Sequence, residues 1–329
     1  MDETVRAIET FRSWVADTPP GGLVFFGGAG VSTESGIPDF RSPDGLYAQK
    51  YPYPPEQMVS RSFFDANPSA FFDFYCDRML ALDAQPNRAH RKLAELEQAG
   101  TLAAVVTQNI DGLHQKAGSK NVLELHGSVL RNFCMACGAA YSVDNLLALR
   151  AQSDDSVPRC PACGGIVKPD VVLYEEPLNE RTVHGAVNAI AQADLLVVAG
   201  TSLAVYPAAG LIDFFTGRRL VIVNNTPTTA KPTSASPPTS ARSSASKRSR
   251  AITHQFVREQ PLKCMQSALP LASAGGSKGV RWPSSRYPKK NKTSDHKPFR
   301  TLFGMLKGKR ASKPIMDSFL KSRTIAHLI

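Results

Sequence analysis

The chain has 329 residues, 42% of them hydrophobic, and a formal net charge of +11. That length suits about two domains and that apolar content suits a real core, which excludes a wholly disordered or collagen-like chain. No apolar run reaches the ~18 residues of a membrane span, and Met1-Asp2-Glu3 lacks a basic signal-peptide start, so no membrane and a cytoplasmic location are expected.

Taken in chain order, Val5, Ile8, Phe11 and Val15 space one apolar face, predicting an amphipathic helix over 3–16. The run 23–26 enters Gly27-Gly28-Ala29-Gly30, a buried strand leading to a glycine turn. Such a turn, followed by a helix N-terminus, suits close approach of a pyrophosphate. The full G-x-G-x-x-G pattern is absent because Thr33 stands at the third glycine, so a plain tight turn is an equal reading. Residues 61–82 and 87–99 read as helices, and 102–106 and 122–125 as buried strands. Residues 128–169 read as irregular and 171–173 as a short strand. A helix over 179–192, a strand over 195–199, a helix over 208–215 and a strand over 220–223 complete the pattern. This alternation predicts an α/β fold with a Rossmann-like, doubly wound parallel sheet, into which the irregular stretch is inserted as a small module.

After Val223 the alternation stops. Residues 231–250 are almost entirely Ser, Thr, Ala, Pro, Lys and Arg, the composition of a disordered low-complexity tail. Residues 231–329 carry 21 Lys+Arg against 3 Asp+Glu, whereas the preceding 230 are net acidic. The basicity therefore predicts non-specific polyanion contact by the tail and no specific nucleic-acid partner.

Four of the six cysteines, Cys134, Cys137, Cys160 and Cys163, follow C-x2-C-x22-C-x2-C. Each pair places two thiolates on one knuckle, and two knuckles complete a tetrahedral Zn2+ site, here a zinc-ribbon-like module over about 128–169. Gly138 and Gly164, just after the second cysteine of each pair, suit the knuckle turn. Four thiolates leave no open coordination position, so the one zinc is expected to be structural. A redox reading needs a single C-x-x-C near the start of a βαβ unit. Cys76 reads as a buried helix residue and Cys264 as an ordinary tail thiol.

Three polar segments sit just after strands, where open α/β sheets bind ligands. They are Thr107-Gln108-Asn109-Ile110-Asp111, His126, and Gly200-Thr201-Ser202. The first can fix a carboxamide and ribose hydroxyls, or simply form an Asx turn. A neutral imidazole at 126 suits proton removal from a sugar hydroxyl at neutral pH, although a lone histidine is more often structural. His90 reads as packing or solvent-facing, and His114 as loop support.

The string Gly28-Ala29-Gly30-Val31-Ser32-Thr33-Glu34-Ser35-Gly36-Ile37-Pro38-Asp39-Phe40-Arg41 resembles the signature of the sirtuins, the NAD-dependent protein deacylases. Three further family signatures follow in order: Thr107-Gln108-Asn109-Ile110-Asp111-Gly112-Leu113-His114, then His126-Gly127, then Gly200-Thr201-Ser202-Leu203. The resemblance covers roughly residues 3–230. It implies NAD as co-substrate, held by Ala29, Gly30, Thr33, Phe40, Arg41, Gln108, Asn109, Ile110, Asp111, Gly200, Thr201, Ser202 and Asn224. It implies that His126 is the catalytic base, that Asn109 and Asp111 orient the ribose and the leaving carboxamide, and that Phe40 shields the reacting centre. Lys168 to Tyr174 resembles the segment that pairs with a substrate backbone, through Val171 and Val172, so acyl-lysine proteins are the expected partners. Tyr75 and Arg78 carry the Y-x-x-R spacing of sirtuins that prefer acidic acyl groups, with ordinary helix surface as the competing reading.

The implied activity is NAD-dependent lysine deacetylation, releasing nicotinamide and O-acetyl-ADP-ribose, by a monomer. The alternatives are a desuccinylase or demalonylase, an ADP-ribosyltransferase, and an NAD-binding protein whose catalysis is impaired by its C-terminus. The resemblance also implies one more strand and helix after Asn224-Asn225-Thr226-Pro227. Synonymous codons for 231–246 can be chosen whose shifted frame reads A-D-L-C-I-A-A-D-I-G-E-V-F-G-E, an apolar strand and the start of an amphipathic helix. A frameshift near Ala230 is therefore expected, with a catalytic domain over 1–230, an aberrant tail over 231–329, and an uncovered sheet edge.

Overall fold

The structure is a computed structural model that describes residues 3–224 and the backbone of 250–255. The strands, in chain order, are β1 (Leu23–Gly27), β2 (Leu102–Thr107), β3 (Val122–Glu124), β4 (Gly127–Cys134), β5 (Ala140–Ser142), β6 (Val167–Val171), β7 (Leu195–Ala199), β8 (Arg219–Asn224) and β9 (Arg250–Gln255). The α-helices are α1 (Glu3–Ala16), α2 (Pro55–Met58), α3 (Arg61–Ala66), α4 (Pro68–Phe74), α5 (Arg88–Gln98), α6 (Leu113–Lys116), α7 (Val143–Ala151) and α8 (Glu180–Gln192).

One sheet is all parallel and ordered β3-β2-β1-β7-β8-β9, the succession of a dinucleotide-binding fold. β1 is buried at all five positions, as expected of a strand covered on both faces. Phe25 packs on one face with Phe11 of α1 and Leu93 of α5. Phe26 packs on the other with Ala186 and Ile190 of α8. The chain crosses from one half of the sheet to the other between β1 and β7, so a crevice opens at the carboxyl ends of these two strands.

The strand readings over 23–26, 102–106, 122–125, 195–199 and 220–223 agree with the structure to within a residue or two. So do the helices over 3–16, 87–99 and 179–192, while 208–215 forms a 3-10 helix over Ala208–Phe214. Four readings are corrected. The single helix expected over 61–82 is broken at Pro68, which cannot donate to the preceding turn, and continues as α4 and a π-helical turn, Tyr75–Met79. The stretch 128–169 is not irregular: β4, β5 and β6 form an antiparallel sheet ordered β5-β4-β6, with α7 between β5 and β6. The short strand expected at 171–173 ends at Val171 instead, because β6 begins at Val167. Finally, the edge of β8 is not bare. The backbone of β9 pairs with it in parallel, from Arg219 with Arg250 to Asn224 with Gln255.

The small module is also larger than the cysteine segment. Met58, Phe63, Phe64, Phe71, Phe72 and Tyr75 share one core with Leu146, Val157, Cys160 and Val167. Two separate insertions, one after β1 and one after β3, thus build one lobe beside the parallel sheet. Gly127 joins the lobe to the sheet at φ +76°, and a Cβ there would lie 1.9 Å from the Asp170 carbonyl oxygen, so no other residue fits.

Candidate active site

Loops from the carboxyl ends of β1, β2, β3 and β7 meet in the crevice. The amide of Gly28 donates to Ala199 O (3.1 Å), that of Gly30 to Gly200 O (2.8 Å) and that of Gln108 to Gly27 O (2.9 Å). The two glycine turns pack backbone on backbone: a Cβ on Gly30 would sit 2.8 Å from Gly200 Cα. Beyond Gly30 the chain makes two 3-10 turns, Ala29–Val31 and Thr33–Ser35, and not the α-helix expected there. Thr33 turns its hydroxyl onto Gly30 O (3.0 Å).

Ser32, almost fully buried, ties the first two loops together. Its hydroxyl donates to Asp111 Oδ2 (2.6 Å) and accepts from Asn109 Nδ2 (3.0 Å). The other Asp111 oxygen caps α6 through the amide of Leu113 (2.9 Å). Asn109 and Asp111 are thus brought together and fixed before any ligand arrives. Gln108 Nε2 donates to Thr201 Oγ1 (3.0 Å), and Asn224 Nδ2 to Thr201 O (3.0 Å), so the β2, β7 and β8 loops form one polar chain. Ala29, Gly30 and Ser202 are half-buried along its margin, and Ile110 packs against the core of the small lobe.

His126 stands at the seam between sheet and lobe. Its Nδ1 lies 2.9 Å from Gln108 O. A carbonyl only accepts, so Nδ1 carries the proton and Nε2 keeps its lone pair. Burial pushes the imidazole below its usual value, opposed by the Gln108 bond, so the ring is neutral at pH 7 and Nε2 is an unprotonated acceptor. The backbone carbonyl of the same residue accepts from Val172 N (3.0 Å).

Phe40 lies edge-on to Tyr47 at 5.5 Å between ring centroids, and Arg41 Nη2 donates to Tyr174 Oη (3.2 Å). The loop from Phe40 to Tyr47 therefore leans on the segment that follows β6. That segment is clamped from below: Lys168 Nζ donates to Val171 O (2.8 Å) and Glu176 Oε2 (3.1 Å), and Glu176 also receives Arg61. Tyr75 and Arg78 differ in burial and partners. Tyr75 is a core residue whose hydroxyl has no hydrogen-bond partner, and Arg78 is paired with Asp77 at the surface.

The four cysteine sulfurs lie within 4.8 Å of one another, with Cys134–Cys163 at 3.4 Å and Cys137–Cys160 at 3.7 Å. Zinc–thiolate bonds of ~2.3 Å give a tetrahedron with edges near 3.8 Å, so the donor set fits zinc. Gly138 and Gly164 both take positive φ, as the knuckles require. A separate cavity of about 370 Å³ under α1, lined by Phe11, Val15, Leu23, Phe25, Leu93 and Leu96, lies toward the amino end of β1 and takes no part in the crevice.

The residues that sequence reasoning passed over are supporting ones. Ser32 lies within the 28–41 signature, where nothing local marks it out. Asn87 reads in the sequence only as the first residue of the helix over 87–99, Lys168 only as the start of the segment that resembles a substrate-pairing strand, and Glu176 has no motif of its own. Tyr47 and Tyr174 approach each other only through the fold, their hydroxyls 3.4 Å apart.

Rossmann strand order, a polar crevice at the crossover and a closed four-cysteine cluster define a dinucleotide-binding α/β protein with a structural metal site. The model of the Sir2 family matches residues 28–207, and the chain belongs to that family. Two relatives named NAD-dependent protein deacetylase are 56% identical over 208 residues (Clostridium acetobutylicum) and 57% identical over 211 (Clostridium perfringens). The first match spans 63% of this chain and 83% of the relative, the second 63% and 84%. Among solved structures, a Sir2 with a p53 peptide and NAD+ superposes with a TM-score of 0.60 at 38% identity, covering 68% of this chain and 88% of that one. A Sir2 with deacetylated p53 peptide and 3'-O-acetyl-ADP-ribose gives 0.62 at 38% identity with the same coverage.

Proposed function

We infer that the chain is an NAD-dependent protein lysine deacetylase, releasing nicotinamide and an O-acetyl-ADP-ribose. The observation that carries this reading is His126, held as the Nδ1–H tautomer by Gln108 O, which leaves an unprotonated Nε2 at the seam of the crevice. NAD brings a ribose carbon that is electrophilic because nicotinamide can leave. The glycine turns and Thr201 hold its phosphates and ribose, while Asn109 and Asp111, locked by Ser32, orient the ribose and carboxamide. Phe40 and its loop exclude water. Val171 and Val172 extend the sheet edge to a peptide backbone, bringing an acyl-lysine oxygen to the opposite side of the ribose. The acyl oxygen would bond to the ribose carbon as its bond to nicotinamide breaks; His126 Nε2 would then take the proton of a ribose hydroxyl, whose oxygen attacks the resulting imidate carbon, and one water replaces the lysine nitrogen there, so that the free amine and O-acetyl-ADP-ribose are released. The relatives' name and the neighbours' acetylated and deacetylated peptides support an acetyl substrate. The buried Tyr75 hydroxyl and the paired Arg78 give no support to an acidic acyl group.

Mass spectrometry of the full chain with an acetyl-lysine peptide and NAD tests the reading. Deacetylated peptide and O-acetyl-ADP-ribose should form in equal amounts. His126→Ala should lower that rate by roughly 10²- to 10⁴-fold while leaving nicotinamide exchange measurable. No turnover by the unaltered chain would refute the reading.

Among the described residues no helix is long and apolar enough to cross a membrane. We further propose that residues 1–230 form the catalytic domain and that 231–329 arise from a frame change near Ala230. β9 adds a strand from within that tail, and the predicted disorder of 231–249 and 256–329 lies outside the described residues. Reading the nucleotides across codon 230 tests it: absence of the shifted frame would reject it.

A further inference from the structure

We propose that Asn87 is a positioning residue for the NAD crevice, acting through the carbonyl of Val31; the proposal rests on the NAD-dependent reading above. Asn87 is the N-cap of α5, and its side chain faces two ways. Its Oδ1 accepts from the amides of Ala89 (2.9 Å) and His90 (3.3 Å), which caps the helix. Its Nδ2 donates to Val31 O at 2.7 Å, and this second bond has nothing to do with capping. Val31 ends the first 3-10 turn after the glycines, and Ser32 follows it directly.

The chain of contacts is short and runs through buried residues as far as the half-buried Asp111. Asn87 fixes the peptide unit between Val31 and Ser32. Ser32 then holds Asp111 at 2.6 Å and Asn109 at 3.0 Å, the two side chains placed against the ribose and carboxamide. Asn87, Val31 and Ser32 are all buried, so water does not replace a lost bond and the orphaned Val31 carbonyl must move to find a donor. The Asn87 side chain is held by the reciprocal capping box, in which its Oδ1 accepts from the amides of Ala89 and His90 while its backbone amide donates to His90 Nδ1 (3.3 Å). The helix end is thus the anvil against which the glycine loop is set. Asn87 touches no reacting atom. Its effect is on how well Asn109 and Asp111 are aimed, and that makes it selective for the nucleotide over the peptide.

The two functions of the amide separate cleanly by substitution. Asn87→Asp keeps an oxygen for the cap, where Asp serves as well as Asn, but loses the donor and faces Val31 O with a second acceptor. Asn87→Ser keeps a shorter cap oxygen and no reach to Val31. Asn179→Asp is the control: Asn179 caps α8 in the same way, with its Oδ1 accepting from the amide (3.1 Å) and hydroxyl (3.4 Å) of Thr182 in the first turn of the same helix. Calorimetric titration with NAD, steady-state kinetics and thermal melting are measured on the full chain. Asn87→Asp and Asn87→Ser should weaken NAD binding and raise the NAD KM about 10-fold, with the acetyl-peptide KM within twofold. Asn179→Asp should leave the NAD values unchanged.

Asn87→Asp binding NAD as the unaltered chain does would reduce Asn87 to a helix cap and overturn the proposal. An equal rise in both KM values in Asn87→Ser would overturn it too, as the mark of general loosening. Should Asn87→Asp not fold, Asn87→Ser decides by the same criterion. Failure of the NAD reading itself would show in the unaltered chain, and failure of the strut only in the variants.

Discussion

His90 and His114 carry no part of the proposed chemistry, yet they sit directly beneath it. Their rings are 4.7 Å apart, both are buried, and neither nitrogen of His114 has a hydrogen-bond partner. Burial pushes His90 down to about 4, with Asp111 opposing and Arg91 assisting. Burial, reinforced by His90, pushes His114 down to about 3. An unfolded chain would protonate both rings near the ordinary 6.5, whereas the folded chain does not. Their stabilising effect is therefore complete above about pH 6.5 and is lost as pH falls toward 4, at up to ~1.4 kcal/mol per pH unit for each ring. The urea midpoint should drop between pH 7.5 and 5.0, and His114→Leu should shallow that drop. A flat profile from 7.5 to 5.0 would contradict the burial of the pair. From the sequence, His90 reads as packing or solvent-facing and His114 as loop support. It could not pair them, because 23 residues and a strand separate them and only the fold brings α5 against α6.

At the scale of elements, the zinc lobe was legible as chemistry but not as architecture. Cysteine spacing is a local signal, and two knuckles need nothing from elsewhere in the chain. β5 and β6 are short, with Pro169 inside β6, and the longer β4 shifts register against β6 between Ser128 and Asn132, so their alternation is too weak to stand out from loop. The buried strands of the parallel sheet are the reverse case: continuous apolar runs bounded by glycine or polar residues. The helix across 61–82 was misread because its apolar spacing continues through Pro68, and a proline at N1 starts a new helix as readily as it ends an old one. Cys134 and Cys160 are packed in the lobe core with Leu146 and Val167, so the metal site and the apolar core depend on each other. One zinc per chain should be found by metal analysis. Removing it with a chelator, or Cys160→Ser, should cost at least ~3 kcal/mol and abolish peptide binding. Retained melting behaviour after complete zinc loss would refute a structural role.

For the whole molecule, the departure from expectation is at the carboxyl side. Composition read 231–250 as unable to pack, which left β8 as a bare edge. The backbone of β9 covers that edge, and an uncovered parallel edge would offer its ladder groups to other chains. A chain truncated after residue 230 should melt lower and associate, as sedimentation or size-exclusion chromatography at rising concentration would show. An unchanged monomer would mean that β9 contributes nothing to the sheet's integrity. A sequence pattern misses such a strand because six residues of mixed character carry no period of their own. What they supply is backbone, and backbone pairing leaves no mark on composition.

The division of the small lobe into two insertions also bears on how the molecule comes to exist. Residues 55–79 carry half of its core, but their partners on β4, α7 and β6 are made only after β2 and β3. β1, the middle of the large sheet, must likewise wait for β7, which pairs with it from Leu23 against Leu195. A ribosome reading from the amino end therefore releases aromatic-rich helices with no core to enter, and these distant contacts are the slow ones to form. The crevice between β1 and β7 is among the last features to close, so a nascent chain short of β7 has the glycine turn after β1 without the Gly200 turn it packs against.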